Sequence, residues 1–402
     1  MKGFYLTQAE LNGLPITGPA WDAVKAAANQ TPGPTSLSDQ DSGNNVLILA
    51  KALVYARTGD TAYLTPVVGA VKDIVTKNLE KGSRALALGR ELAAYVIAAD
   101  LADLAKVDAA LDTQFRTKLR ALLEAPMSSG PATLLASQAE RPNNWGMHAG
   151  ASVLAVALYL GDAALLEKSA KIFKGWLGDR ASYAGFKYGD LWWQPDPAHP
   201  VGVCPKGAVL NTRNVDGSLP EELRRDGAFT WPPKGADGRM YSWEALQGAT
   251  LQAYLLNRVG GTVKPYPAWD WCDQALLRAT KFLYGLNWPA GDDDGWQPWV
   301  YNAAYGTTYP ASATARAGKN VGWFQWTATP AIVKGTNTGG GDPGGGDPGG
   351  GGDPGGGDPG GGDPGSDPSA AKLAAMCAKV EQAKTALTQV TTLINEALTA
   401  AQ

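Results

Sequence analysis

Through most of the chain apolar residues recur at intervals of three and four, with short polar breaks between runs. In Leu88, Leu92, Tyr95, Val96 and Ala99 that spacing lines the large side chains along one face of a helix. The same pattern predicts helices over Val46–Thr58, Ala62–Lys77, Leu86–Leu104, Asp108–Glu124, Gly150–Leu160 and Ala163–Leu177. It resumes over Ser242–Val259 and Trp269–Tyr284. Gly59-Asp60 and Gly161-Asp162 mark turns between consecutive helices, and repeated units of helix, Gly-Asp, helix describe antiparallel hairpins. No alternating strand series precedes residue 180, so the body reads as all-α.

The pattern stops in three places. Between Ser182 and Tyr241 the residues Tyr183, Phe186, Tyr188, Trp192, Trp193 and Trp231 sit among prolines and glycines, and Trp288, Trp296, Trp299 and Tyr301 form a second aromatic stretch. Loops of that length inside a domain are usually functional. From Gly339 to Pro364 the chain is Gly-Gly-Gly-Asp-Pro repeats, a flexible and self-repelling linker. The last segment carries a heptad, with Leu373, Val380, Leu387, Ile394 and Ala401 at one seam position and Met376, Ala383, Val390 and Ala397 at the other. That is enough for a coiled coil, weakened by alanine at three seam positions. The expected organisation is a globular domain over 1–335, a linker over 336–368 and an oligomerising helix over 369–402. A homo-oligomer or a larger assembly is the expected partner arrangement.

Charge narrows the function. The chain carries −3 overall and −5 over 336–402, leaving +2 for the body. A body so balanced lacks the lysines and arginines on which nucleic-acid affinity rests, yet it leaves room for a local basic cleft facing an acidic substrate. Three scattered cysteines and two histidines argue against a disulfide framework, a zinc cluster or a His-based metal site. No run reaches the ~18 apolar residues of a membrane span, and Met1–Gly13 does not read as a secretory leader. Fourteen Trp and fourteen Tyr against seven Phe point to carbohydrate, since flat rings with a polar edge suit sugars.

Polar groups gather ahead of two apolar helices. Arg141-Pro142-Asn143-Asn144-Trp145-Gly146-Met147-His148 leads into one, and Asp39-Gln40-Asp41-Ser42-Gly43-Asn44-Asn45 into another. Either cluster serves as a helix cap or as a substrate-contacting turn, and a helix N-terminus favours an anionic ligand.

The run Asn214-Val215-Asp216-Gly217-Ser218-Leu219-Pro220-Glu221-Glu222-Leu223-Arg224-Arg225, followed by Arg239-Met240-Tyr241-Ser242-Trp243-Glu244, resembles the alginate lyase superfamily, as does the Asn-Asn turn at Arg141–His148. The resemblance spans roughly residues 40–285. It implies an incomplete (α/α) toroid of helical hairpins with a central cleft, and an enzyme needing no metal or other cofactor. It also implies Asn144 as a carboxylate-neutralising amide, Tyr241 as the residue that takes and returns a proton, and Arg239 or Arg225 beside it. The family has histidine after the second Asn. Here Trp145 stands there, and His148 lies one helical turn beyond Asn144. Further substrate contacts are expected from Asn143, Trp145, Gln40, Asn44, Asn45, Arg90, Tyr188, Trp192, Trp193, His199, Trp243 and Glu244.

These residue types fit one reaction. Eliminating across the glycosidic bond of a uronic acid removes the proton beside a carboxylate, and donors that neutralise that carboxylate favour the enolate-like state. A tyrosine flanked by cations serves as base and then as acid. The expected activity is therefore lysis of a uronate-containing acidic polysaccharide, at the cell exterior or as a virion tail depolymerase. Two rivals remain: a glycan-binding adhesin whose site has decayed, and an inverting glycoside hydrolase needing two carboxylates, for which Asp190, Glu244 and Asp292–Asp294 are candidates.

Overall fold

The computed structural model describes residues 3–258 and 266–335. The predicted linker and C-terminal helix lie outside the described residues. In chain order the helices are α1 (Gln8–Gly13), α2 (Pro19–Ala28), α3 (Asn44–Thr58), α4 (Thr61–Thr76), α5 (Ala85–Leu101), α6 (Leu104–Val107), α7 (Ala109–Leu123) and α8 (Leu134–Glu140). They continue as α9 (Asn144–Leu160), α10 (Ala163–Trp176), α11 (Pro220–Leu223), α12 (Ala236–Asn257), α13 (Trp271–Gly285), α14 (Gln297–Tyr305), α15 (Phe324–Thr327) and α16 (Pro330–Lys334). One two-residue antiparallel pair, β1 (Val209–Leu210) with β2 (Arg213–Asn214), is the only sheet among the described residues. The fold is all-α.

The Gly-Asp turns work as their sequence suggests. Gly59 (φ 75°) and Gly161 (φ 69°) end α3 and α9 in the left-handed region, and Asp60 and Asp162 then cap α4 and α10 through their carboxylates. Each hairpin reverses in two residues.

Four helices form an inner layer: α3 packs on α5, α5 on α9, and α9 on α12. Every residue of α5 is buried, as are all but three of α9, which is the pattern of a rod enclosed on all sides rather than of a surface helix. Outer helices cover them, with α4 lying on α3 and α7, and α10 on α9. These outer helices bury one stripe only, as in Leu166, Ala170 and Phe173 of α10.

Glycine allows the inner rods to approach closely. A Cβ on Gly89 would lie 2.9 Å from the Ala149 backbone nitrogen, and one on Gly248 would strike the Met147 carbonyl. Across the first of these contacts Ser152 Oγ donates to the Gly89 carbonyl at 2.8 Å, and across the second Gln252 Nε2 donates to the Met147 carbonyl at 3.0 Å. The N-terminal parts of α5 and α9 are thereby fixed against each other and against the middle of α12, and the candidate site forms where these helices begin. No helix among the described residues is long and apolar enough to cross a membrane.

Candidate active site

A cleft of about 770 Å³ opens where these helices begin. The first turns of α12 form one wall, through Ala236, Asp237, Arg239, Met240, Tyr241 and Glu244. Arg84, Leu86 and Arg90 of α5 and its approach, Gln40 and Asp41, Trp145 and Arg225 form another, and Asp292–Asp294 with Lys319 close it.

Arg225 is the hinge of the arrangement. Its Nε donates to Glu222 Oε2 at 2.9 Å and its Nη2 donates to Asn144 Oδ1 at 3.1 Å, while the guanidinium carbon lies 3.9 Å from the centre of the Tyr241 ring. A cation held by a carboxylate and an amide thus lies over the face of the tyrosine ring. Glu222 also accepts from the Asn144 backbone N–H at 2.5 Å, so one carboxylate holds both the α9 N-terminus and the arginine. Burial pushes the Glu222 carboxyl up to about 7, against the lowering pull of Arg225 and the Asn144 N–H. Arg225 links Asn144 and Tyr241 at the cleft, although the two come from stretches a hundred residues apart.

One turn deeper a second set assembles. Glu244 Oε2 accepts from Arg90 Nη2 at 2.5 Å and lies 3.2 Å from His148 Nε2, so the Nε2–H tautomer donates to it. Burial by itself would raise the Glu244 carboxyl, but the imidazole and the guanidinium outweigh it and hold it at about 2. His148 is fully buried, and burial lowers its pKa against the upward pull of Glu244, which leaves a neutral ring.

Asn144 and His148 are both 0 % exposed, and neither lines the cleft. Arg225 stands in front of one and Glu244 in front of the other. Trp145 does reach the cleft: its indole packs over Gly130, where a Cβ would come within 2.7 Å, and beneath the Arg141 guanidinium at 5.7 Å. At the position of the family histidine there is therefore a half-buried indole and no imidazole.

The remaining sequence candidates divide. Gln40, Arg90, Arg239, Trp243 and Glu244 line the cleft. Asn143 is the N-cap of α9, accepting from Trp145 N, and Asn44 and Asn45 are buried, donating to Tyr95 Oη and to the Arg90 and Lys319 carbonyls. These three act as structural amides. Tyr188, Trp192, Trp193 and His199 stand outside the cleft lining: Trp193 is buried against Phe229 and donates to the Gly227 carbonyl, Trp192 is exposed, and His199 pairs with Asp196 at the surface. Asp41 lines the cleft from the turn that the sequence offered as a cap or a substrate contact, and Arg84, Asp237 and Lys319 are cleft residues that the sequence reading passed over. Lys319 could not have been found by spacing, since it reaches Asp41 and Asp293 only through the tertiary fold.

The cleft thus gathers arginines, carboxylates and a tyrosine at the mouth of a helical layer. Residues 50–186 match the family model for alginate lyase. That stretch includes α9 with Asn144, Trp145 and His148, and it supports the alginate lyase superfamily and, in general terms, a polysaccharide lyase function. No curated protein and no solved structure matches the chain.

Proposed function

We propose that the chain cleaves a uronate-containing acidic polysaccharide by β-elimination in this cleft. The observation that carries the reading is Arg225, which binds Asn144 and lies on the face of Tyr241 at the cleft surface. A uronate carboxylate drawn to that guanidinium loses much of its opposition to carbanion formation next to it. Tyr241, as phenolate beside the same cation, takes the proton from the carbon bearing the carboxylate. The electron pair forms the ring double bond, and the glycosidic oxygen leaves with the pair of the broken C–O bond and takes up a proton. Arg239 and Arg84, exposed in the same lining and in no ion pair among the described residues, suit neighbouring carboxylates along the polymer. Asn144 and His148 act from behind, holding Arg225 and Glu244 rather than touching the sugar.

The sealed position of Asn144 and His148 is what favours the rival reading of a non-catalytic glycan-binding protein. A panel of uronate polysaccharides beginning with alginate separates the two. The lyase produces an unsaturated uronate with ultraviolet absorbance that Tyr241→Phe does not produce; binding with no absorbance from the wild-type chain leaves the adhesin. A chain that yields new reducing ends without that absorbance is a hydrolase. We further propose that 369–402 assembles the chain, as a tail-borne depolymerase would need. Light scattering of the full chain against residues 1–335 tests this, and equal subunit numbers would refute it.

A further inference from the structure

Asp294 lines the cleft, yet its residue is only 8 % exposed. Gln247 Nε2 and Gln297 Nε2 both donate to its Oδ1, at 2.8 and 3.0 Å, so neither amide engages Oδ2. The clamp is itself fixed: Gln247 Oε1 accepts from the Lys319 backbone N–H, and Gln297 Nε2 also donates to the Trp243 carbonyl. No ion pair forms at Asp294 among the described residues. The charged groups around it are Glu244 from α12, Asp292 and Asp293 on its own turn, and Lys319, whose ammonium is shared between Asp41 and Asp293. A carboxyl so buried, with acids for neighbours and amide donors on one oxygen only, holds its proton. Burial, then Glu244 and Asp293, drive it in that direction against the two amides.

We propose that Asp294 presents a neutral carboxyl O–H to the cleft and gives its proton to the glycosidic oxygen that leaves in the elimination. The assignment rests on the lyase reading of the cleft and divides the proton transfers between two residues. Tyr241 phenolate takes the proton from carbon, and that C–H pair becomes the ring double bond. The C–O bond breaks with its pair on oxygen, and the Asp294 O–H bond breaks as its proton joins that oxygen. Asp294 is left as carboxylate and Tyr241 as phenol, and proton exchange with solvent restores both. Glu244, already ionised and engaged by Arg90 and His148, is unsuited to donate.

The test compares Asp294→Asn and Tyr241→Phe in the full-length chain on two substrates. One is the uronate polysaccharide that the wild type cleaves, and the other is a uronate with fluoride at the leaving position, which departs without a proton. Asp294→Asn is expected to lose about 100-fold or more on the polysaccharide and to regain near wild-type rates on the fluoride, whereas Tyr241→Phe fails on both. Equal losses of Asp294→Asn on both substrates, or full activity on the polysaccharide, would overturn the assignment and leave the lyase reading standing. Full activity of Tyr241→Phe, or no unsaturated product from the wild type, overturns the reading and the assignment together. Infrared spectra at neutral pH give a readout independent of turnover: the wild-type minus Asp294→Asn difference contains a protonated-carboxyl band over and above the absorption that Glu222 and Glu91 give both proteins, and a difference without that band contradicts the neutral O–H.

Discussion

Helices α9 and α12 lie side by side in the inner layer, and each begins with a polar turn, but α9 sets only Trp145 on the cleft whereas α12 lines a whole wall of it. The α9 turn puts Asn144 and His148 on one face, and both are sealed, the first by Glu222 and Arg225 and the second by Glu244. The α12 turn leaves Asp237, Arg239, Met240 and Tyr241 on the cleft wall. The cause is what covers each end. The Pro220–Asp226 segment reaches both starts, since Glu222 accepts from the Asn144 N–H of α9 and Asp226 Oδ2 accepts from the Gly238 N–H of α12 at 2.7 Å, but only at α9 does it also bring an arginine onto the buried amide. Both starts have a backbone N–H satisfied by that segment, and what differs is whether the side chains of the first turns are covered or left on the cleft wall.

The largest test of this contrast is on the open side. Tyr241→Phe is expected to keep glycan binding and to lose about 1,000-fold in turnover, the scale of a lost proton-transfer group, measured as unsaturated product per enzyme against binding by calorimetry. Unchanged turnover would mean that the open wall is not where the chemistry occurs.

On the foundation, breaking a buried pair should appear as instability. The Arg90 and Glu244 side chains are 7 % and 9 % exposed, and Arg90→Met leaves the carboxylate with only a neutral imidazole N–H. A loss of about 3 kcal/mol in urea unfolding is expected. A stability within error of wild type would contradict the foundation role.

The two glutamates should also titrate in opposite senses. Glu244 is held at about 2, below the ordinary carboxylate value, so its contribution is complete above about pH 5 and is lost as pH falls toward 2. Glu222 is pushed up to about 7, so the folded state keeps a proton that the unfolded chain has released. Stability from that group is present below about pH 4 and declines as pH rises through 7. Unfolding free energies across pH should therefore show a flatter acid limb in Glu244→Gln and a flatter decline between about pH 5 and 7 in Glu222→Gln. Parallel curves for both variants and the wild type would remove the difference.

The smallest effect is expected off the cleft. His199→Ala, which breaks an exposed pair with Asp196, should change stability by no more than about 0.5 kcal/mol and leave turnover unchanged. A large loss of activity would move the site toward the Trp192 loop.

Most of the helical layer was legible because its apolar spacing is strict. The predicted Ala163–Leu177 is α10, Ala163–Trp176, and Val46–Thr58 is most of α3. Misjudged starts have one physical origin. Asn144 already lies in α9, not ahead of it, and α12 begins at Ala236, because Gly and small or polar residues at a helix start carry no periodic signal. Tyr241 is consequently in the second turn of α12 rather than at its opening. The short helices α8 and α14 were missed, since seven to nine residues give too few repeats to declare a period. Tyr241, Arg225 and Asn144 were named by motif, and their linkage through one guanidinium is a fact of packing. The separation of surface from support was not readable: nothing in Asn144-Trp145-Gly146-Met147-His148 says that the indole faces the cleft while the amide and imidazole are buried. The second aromatic loop was noticed for its tryptophans, but its cleft contribution is the run Asp292–Asp294.

The most direct measurement is a crystal structure of Tyr241→Phe soaked with a uronate oligosaccharide. The account predicts a sugar carboxylate on the Arg225 guanidinium, with the ring carbon beside it facing residue 241 and the chain running past Arg239. An oligosaccharide seated on the Trp192 loop, or lying in the cleft with its carboxylates turned away from Arg225, would contradict it.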